Sequence, residues 1–84
     1  MDIAVYEDDR EFAGKLEQVI RQCTHFPTII NTSDAVELLE RTKRAPGPVL
    51  YFIDIVLNGN TQGLDIARYI AEQERDDLIV FLTS

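Results

Sequence analysis

Apolar residues fall along this chain in two kinds of block. Ile3 to Tyr6 (IAVY), Val49 to Asp54 (VLYFID) and Leu78 to Ser84 (LIVFLTS) are runs with hardly any polar alternation. That is the pattern of strands covered on both faces of a parallel sheet. Phe26 to Asn31 (FPTIIN) reads as a further short strand, which Pro27 confines to an edge or a strand start. Between these runs the apolar positions recur at helical spacing. Phe12, Leu16, Val19, Ile20 and Cys23 form the first such face, opposite Glu11, Lys15, Gln18, Arg21 and Gln22. Ala35, Val36, Leu38 and Leu39 form the second, and Leu64, Ala67, Ile70 and Ala71 the third. Asp9 is placed to cap the first helix, and Ser33 and Asp34 to open the second. RAPGP, Arg44 to Pro48, stops the second helix, and LNGNTQG, Leu57 to Gly63, reads as a loop.

The order β-α-β-α-β-α-β predicts an α/β fold with right-handed crossovers and a parallel sheet. We expect three layers, with strands in the order 2-1-3-4 and helices on both faces. The last apolar run meets no covering helix, so the unit is expected to be cut short after its fourth strand. An open edge and bare faces there predict a marginally stable fragment that self-associates.

Length and charge narrow the picture. Eighty-four residues make one small domain, residues 1–84, with a thin core. Fifteen acidic against eight basic residues give a net charge of -7, which disfavours a nucleic-acid surface and suits a cation or a basic partner. The one basic cluster is RTKR, Arg41 to Arg44. Cys23 is the single cysteine, so no intrachain disulfide and no multi-thiolate metal site can form, and it reads as an inert small hydrophobe. His25 reads as a surface residue, and Tyr6, Tyr51 and Tyr69 as core or sheet-flanking groups. No apolar run approaches the roughly 20 residues that span a bilayer. MDIAVYEDD lacks the charged-then-apolar order of a signal peptide. The expected setting is the cytoplasm.

The chemistry collects at strand ends, where open parallel sheets bind ligands. Glu7 and Asp8 follow the first strand, Asp54 ends the third, and Thr83 and Ser84 follow the fourth. Taken singly, each has a plain reading: acidic residues favour a helix start, and an Asp can merely end a strand. Together on neighbouring strand ends they point to a site. Packed carboxylates repel unless a cation neutralises them. Hard oxygen donors without His or Cys suit Mg²⁺ between Asp8 and Asp54. Asp54 then has an oxygen for nucleophilic attack on a phosphoryl group, with the Thr83 hydroxyl as a donor to it. GNTQG lacks the Lys and spacing of a phosphate-cradling loop.

IAVYEDDREF, LYFIDIVLNGNTQGLDIARYI and LIVFLTS together resemble the first two-thirds of a bacterial response-regulator receiver domain. The resemblance spans essentially the whole chain, and its flavour is similar to the accessory-gene-regulator and competence regulators that carry a LytTR DNA-binding domain. It implies a flavodoxin-like (CheY-like) fold that lacks its fifth strand here. It further implies that Asp54 is the phosphoacceptor for a sensor histidine kinase, in a two-component relay controlling transcription. By the same resemblance Asp8 is the direct Mg²⁺ ligand, Glu7 acts mainly through metal-bound water, and Val56 offers a backbone carbonyl. Thr83 would be the switch hydroxyl, with Ser84 in the small-residue position beside it. The module would be regulatory rather than an enzyme. The family's lysine at the end of the fifth strand, its output face and its DNA-binding domain would lie beyond Ser84, so poor phosphorylation of the fragment itself is expected. Haloacid-dehalogenase-like phosphatases also use a strand-end Asp, but the acid/base position two residues on is Val56 here. The remaining alternative is a receiver-like interaction module that is never phosphorylated.

Overall fold

A computed structural model describes residues 1–25, 28–56 and 62–82. The chain runs β1 (Asp2–Tyr6), α1 (Arg10–Cys23), β2 (Ile29–Thr32), α2 (Ala35–Lys43), β3 (Val49–Asp54), α3 (Gln62–Glu72) and β4 (Leu78–Leu82). The four strands pair in parallel in the order β2-β1-β3-β4, as the alternation of apolar runs and helical faces predicts. Thr83, Ser84, most of the 57–63 loop and the Phe26–Pro27 strand start lie outside the described residues. Among the described residues β2 begins at Ile29 and extends to Thr32, one residue beyond the expected end.

Alternation along the strands divides the core into two layers. Ala4, Tyr6, Ile30, Val49, Tyr51 and Ile53 face α2 and α3, where Leu38, Ile66, Ala67 and Ile70 complete a buried cluster. Ile3 and Val5 face the other way, onto Ala13 and Ile20 of α1. The architecture is therefore three-layered, with two helices over one face and one over the other.

That asymmetry changes what the helical faces bury. On α1 only Ala13 and Ile20 are buried, whereas Phe12, Val19 and Cys23 are exposed. Arg10 and Glu17 bond to Asn31 on the β2 side, so the flank with Phe12, Val19 and Cys23 looks toward β3 and β4. The register sets Leu50 opposite Leu78 and Phe52 opposite Val80 on that same face. Leu50 and Phe52 are half-buried, and Leu78 and Val80 are exposed. Cys23 is thus a surface thiol, contrary to the buried hydrophobe its spacing suggested, because the part of the sheet it looks toward has no helix among the described residues. Val36, Leu64, Ala71 and Tyr69 are likewise exposed. In α3 the buried positions are Gly63, Ile66, Ala67 and Ile70: Ala67 and Ile70 are buried as expected, while Gly63 and Ile66 take the places expected of Leu64 and Ala71.

Both predicted caps are present. Asp9 accepts from the Phe12 amide at 3.0 Å. Asp34 accepts from Val36 at 2.9 Å and Glu37 at 3.3 Å. Each satisfies amides that a helix start leaves unpaired. Asp77 makes a comparable tie at the opposite end of the sheet. Its side chain accepts from the Val49 amide at 2.8 Å and pairs with Arg75 at 3.5 Å, fastening the approach to β4 onto the start of β3.

A candidate metal centre at the carboxyl ends of the strands

Because β1 and β3 are parallel neighbours, with Tyr6 opposite Ile53, both chains leave the sheet at the same edge. Glu7 and Asp8 follow one strand and Asp54 ends the other. One carboxylate oxygen from each of the three lies within 4.8 Å of the others. Glu7 and Asp54 are buried, at 7% and 4% exposure. Asp8 is the most open of the three. Three sequence-predicted metal ligands therefore converge. The Val56 amide donates to Asp54 Oδ1 at 3.1 Å, which orients that carboxylate. Thr83 falls outside the described residues.

Glu7 shows the electrostatic consequence. Burial, partly opposed by the Asp9 amide and reinforced by Asp8 and Asp54, pushes its carboxyl from 4.5 up to about 7. A carboxyl crowded by two others prefers to keep its proton until a cation replaces it. Its Oε1 also accepts from the Asp9 amide at 3.1 Å. Glu7 is thus built into the turn that follows β1.

Supporting groups surround the carboxylates. The Tyr6 hydroxyl donates to Gln62 Oε1 at 3.3 Å, linking β1 to the start of α3. Burial first, then Asp34 and Asp8, raise the Tyr6 phenol above its ordinary value, which keeps it a proton donor. Gly63 packs α3 directly onto the backbone that carries Asp54. A Cβ there would overlap the Asp54 carbonyl oxygen, sit 2.9 Å from its carbon and 3.0 Å from the Ile55 oxygen. Arg10 and Asn31 bridge the β1–α1 turn to β2. Sequence reading missed Gln62, Gly63, Arg10 and Asn31 as site supports. The glycine after a loop is the one signal that could have found any of them.

Chemically, three carboxylates with no imidazole or thiolate beside them form a hard, oxygen-only donor set able to hold a metal ion. The chain matches no family model, no curated protein and no solved structure. No helix among the described residues is long and apolar enough to cross a membrane.

Proposed function

We propose that this chain is a phosphoacceptor module of the receiver type, in which Asp54 takes a phosphoryl group from a histidine kinase. The observation that carries the reading is the convergence of Glu7, Asp8 and Asp54 at one end of a 2-1-3-4 parallel sheet. Mg²⁺ suits the donor set; when bound, it would offset the charge of the carboxylates and of the incoming phosphoryl oxygens. Asp8, Asp54 and Glu7 are the side chains that would hold it, with the Val56 carbonyl as a further oxygen. An Asp54 oxygen attacks phosphorus, an O–P bond forms, and the P–N bond of the donor phosphohistidine breaks with its electron pair leaving on the imidazole. The Val56 amide orients the attacking carboxylate, and burial of Asp54 limits water at the acyl phosphate. The proposed role of Thr83 is a hydroxyl that follows the phosphoryl group. In a longer protein carrying a LytTR-type DNA-binding domain, this event would control transcription, in the cytoplasm.

We also propose that the chain self-associates through β4. Leu78, Val80 and Phe81 are exposed on a strand without charge or proline, and such strands pair with other chains.

Acetyl phosphate, or a phosphorylated histidine kinase, with Mg²⁺ tests the main reading on this chain and on any longer protein that contains it. Intact-mass and peptide mapping should place one hydroxylamine-labile phosphate on Asp54, absent from Asp54→Asn. Phosphate on Asp8 would overturn the nucleophile. Absence of any label would favour the interaction module.

A further inference from the structure

We propose that Arg10 is a positioning residue of the acidic centre. By clamping the turn after β1 to β2, its guanidinium holds Glu7 and Asp8 in the arrangement that receives a cation. The inference rests on the metal-centre reading above and adds to it a residue outside the donor set.

Arg10 Nη1 donates to the Glu7 carbonyl at 2.8 Å. Its Nη2 donates to Asn31 Oδ1 at 2.8 Å and reaches the Asn31 carbonyl at 3.3 Å. Asn31 is itself held, since its Nδ2 donates to the Ala13 carbonyl and to Glu17 Oε1, each at 3.0 Å. The guanidinium fork thus spans β2, the start of α1 and the turn between β1 and α1. A rigid planar fork fixes geometry in a way that a single ammonium does not.

The carbonyl it grips matters most. The Glu7 C=O lies in the planar peptide unit that joins the Cα atoms of Glu7 and Asp8. Fixing that oxygen fixes the plane from which both side chains depart, and both are carboxylates of the centre. The turn has a second tie of the same kind in the Asp9 amide, which donates to Glu7 Oε1. Without the fork, the Glu7 carbonyl loses its anchor to β2 and the turn keeps only the weaker ties at the Glu7 and Asp9 amides, against which the mutual repulsion of three carboxylates spreads them. Removing a group that orients metal ligands typically costs about 10–100-fold in affinity.

Charge alone predicts the opposite sign. Arg10 is a cation near a cation site, so deleting it by Coulomb's law favours metal binding. Direction therefore separates positioning from bulk electrostatics. The test is Mn²⁺ affinity, read from the electron paramagnetic resonance signal of the free ion, for wild type and for Arg10→Ala, Arg10→Lys, Asn31→Ala and Lys15→Ala. Lys15 pairs with Glu11 on the exposed face of the same helix, so Lys15→Ala removes equal charge without touching the turn. We expect Arg10→Ala and Asn31→Ala to bind about tenfold more weakly, and Arg10→Lys to fall between them and wild type. Lys15→Ala should bind as well as wild type or slightly better. Thermal melting without metal accompanies each variant; if Arg10→Ala does not fold, Arg10→Lys and Asn31→Ala carry the test. Equal or tighter binding by folded Arg10 and Asn31 variants overturns the proposal while leaving the metal centre standing. A wild-type protein that fails to bind Mn²⁺ overturns both.

Discussion

Two glycines allow the packing of the site to be tested by one chemical change made twice. Gly14 lies in the interior of α1 with nothing within 4 Å of the position a Cβ would take. Gly14→Ala should therefore stabilise the protein by about 1 kcal/mol, the helix-propensity difference. Gly63 is the second residue of α3, where the propensity gain is smaller. A Cβ there meets three backbone atoms, of Asp54 and Ile55. Backbone cannot rotate aside as a side chain can, so α3 or the end of β3 must move, at an overpacking cost of about 1–3 kcal/mol. The two variants should then differ by about 2–4 kcal/mol with opposite signs relative to wild type. For a domain this small the urea dependence is about 1 kcal/mol per molar. Equilibrium unfolding should accordingly separate their midpoints by about 2 M or more. Since the displaced backbone carries Asp54, Gly63→Ala should also lose metal affinity, and Gly14→Ala should not. A Gly63→Ala midpoint at or above that of wild type would refute the claimed close approach of α3 to the site.

Stability in the absence of metal should depend on pH through Glu7. Its folded value of about 7 lies above 4.5, so the folded state binds the extra proton. Its penalty is absent below 4.5, and stability falls as pH rises from there through about 7. The ceiling is about 3 kcal/mol, and solvent beside Asp8 screens it to about 1 kcal/mol. Urea titrations at pH 5 and pH 8 should show the loss, Glu7→Gln should abolish it, and Mg²⁺ should reduce it; a wild-type profile identical to that of Glu7→Gln would discount the crowding of Glu7. Asp77→Ala should cost about 1–3 kcal/mol by leaving the buried Val49 amide unpaired, and an unaltered urea midpoint would deny that tie its role. Sedimentation of the 84-residue chain across a concentration series should show association, weakened by Val80→Lys. A monodisperse monomer at high concentration would rule out pairing through β4.

The parallel order was legible because IAVY, VLYFID and LIVFL lack polar alternation, and because each is separated from the next by one helical face or more. Asp54 was legible for a related reason, as a charge closing an apolar run. Its convergence with Glu7 and Asp8 follows once β1 and β3 are neighbours. What the pattern could not convey was which apolar residues a helix buries. Spacing marks Phe12, Val19 and Cys23 as one face with Ile20, but burial depends on what the sheet presents beneath, and α1 lies over β1 and β2. Supports such as Arg10 and Asn31 were illegible for a different reason. They are 21 residues apart and meet only because β2 pairs with β1. Thr83 lies outside the described residues, and its proposed role rests on its place after the fourth strand and on the resemblance.

The placement of the acidic centre within the sheet has a consequence for how the molecule breathes. β1 has strand neighbours on both sides and lies under helices on both faces, and β3 also has two strand neighbours. β4, by contrast, has three exposed residues among its five. Opening free energies within one domain range from near zero to the global value, according to burial and pairing. Amide protons of β4 should therefore exchange with deuterium through small local openings, while those of Ile3 to Tyr6 wait for global unfolding. Of the carboxylates that repel one another, Glu7 and Asp8 directly follow the slowest-exchanging strand and Asp54 ends its neighbour β3, so fraying confined to β4 leaves the β1 side of their spacing intact.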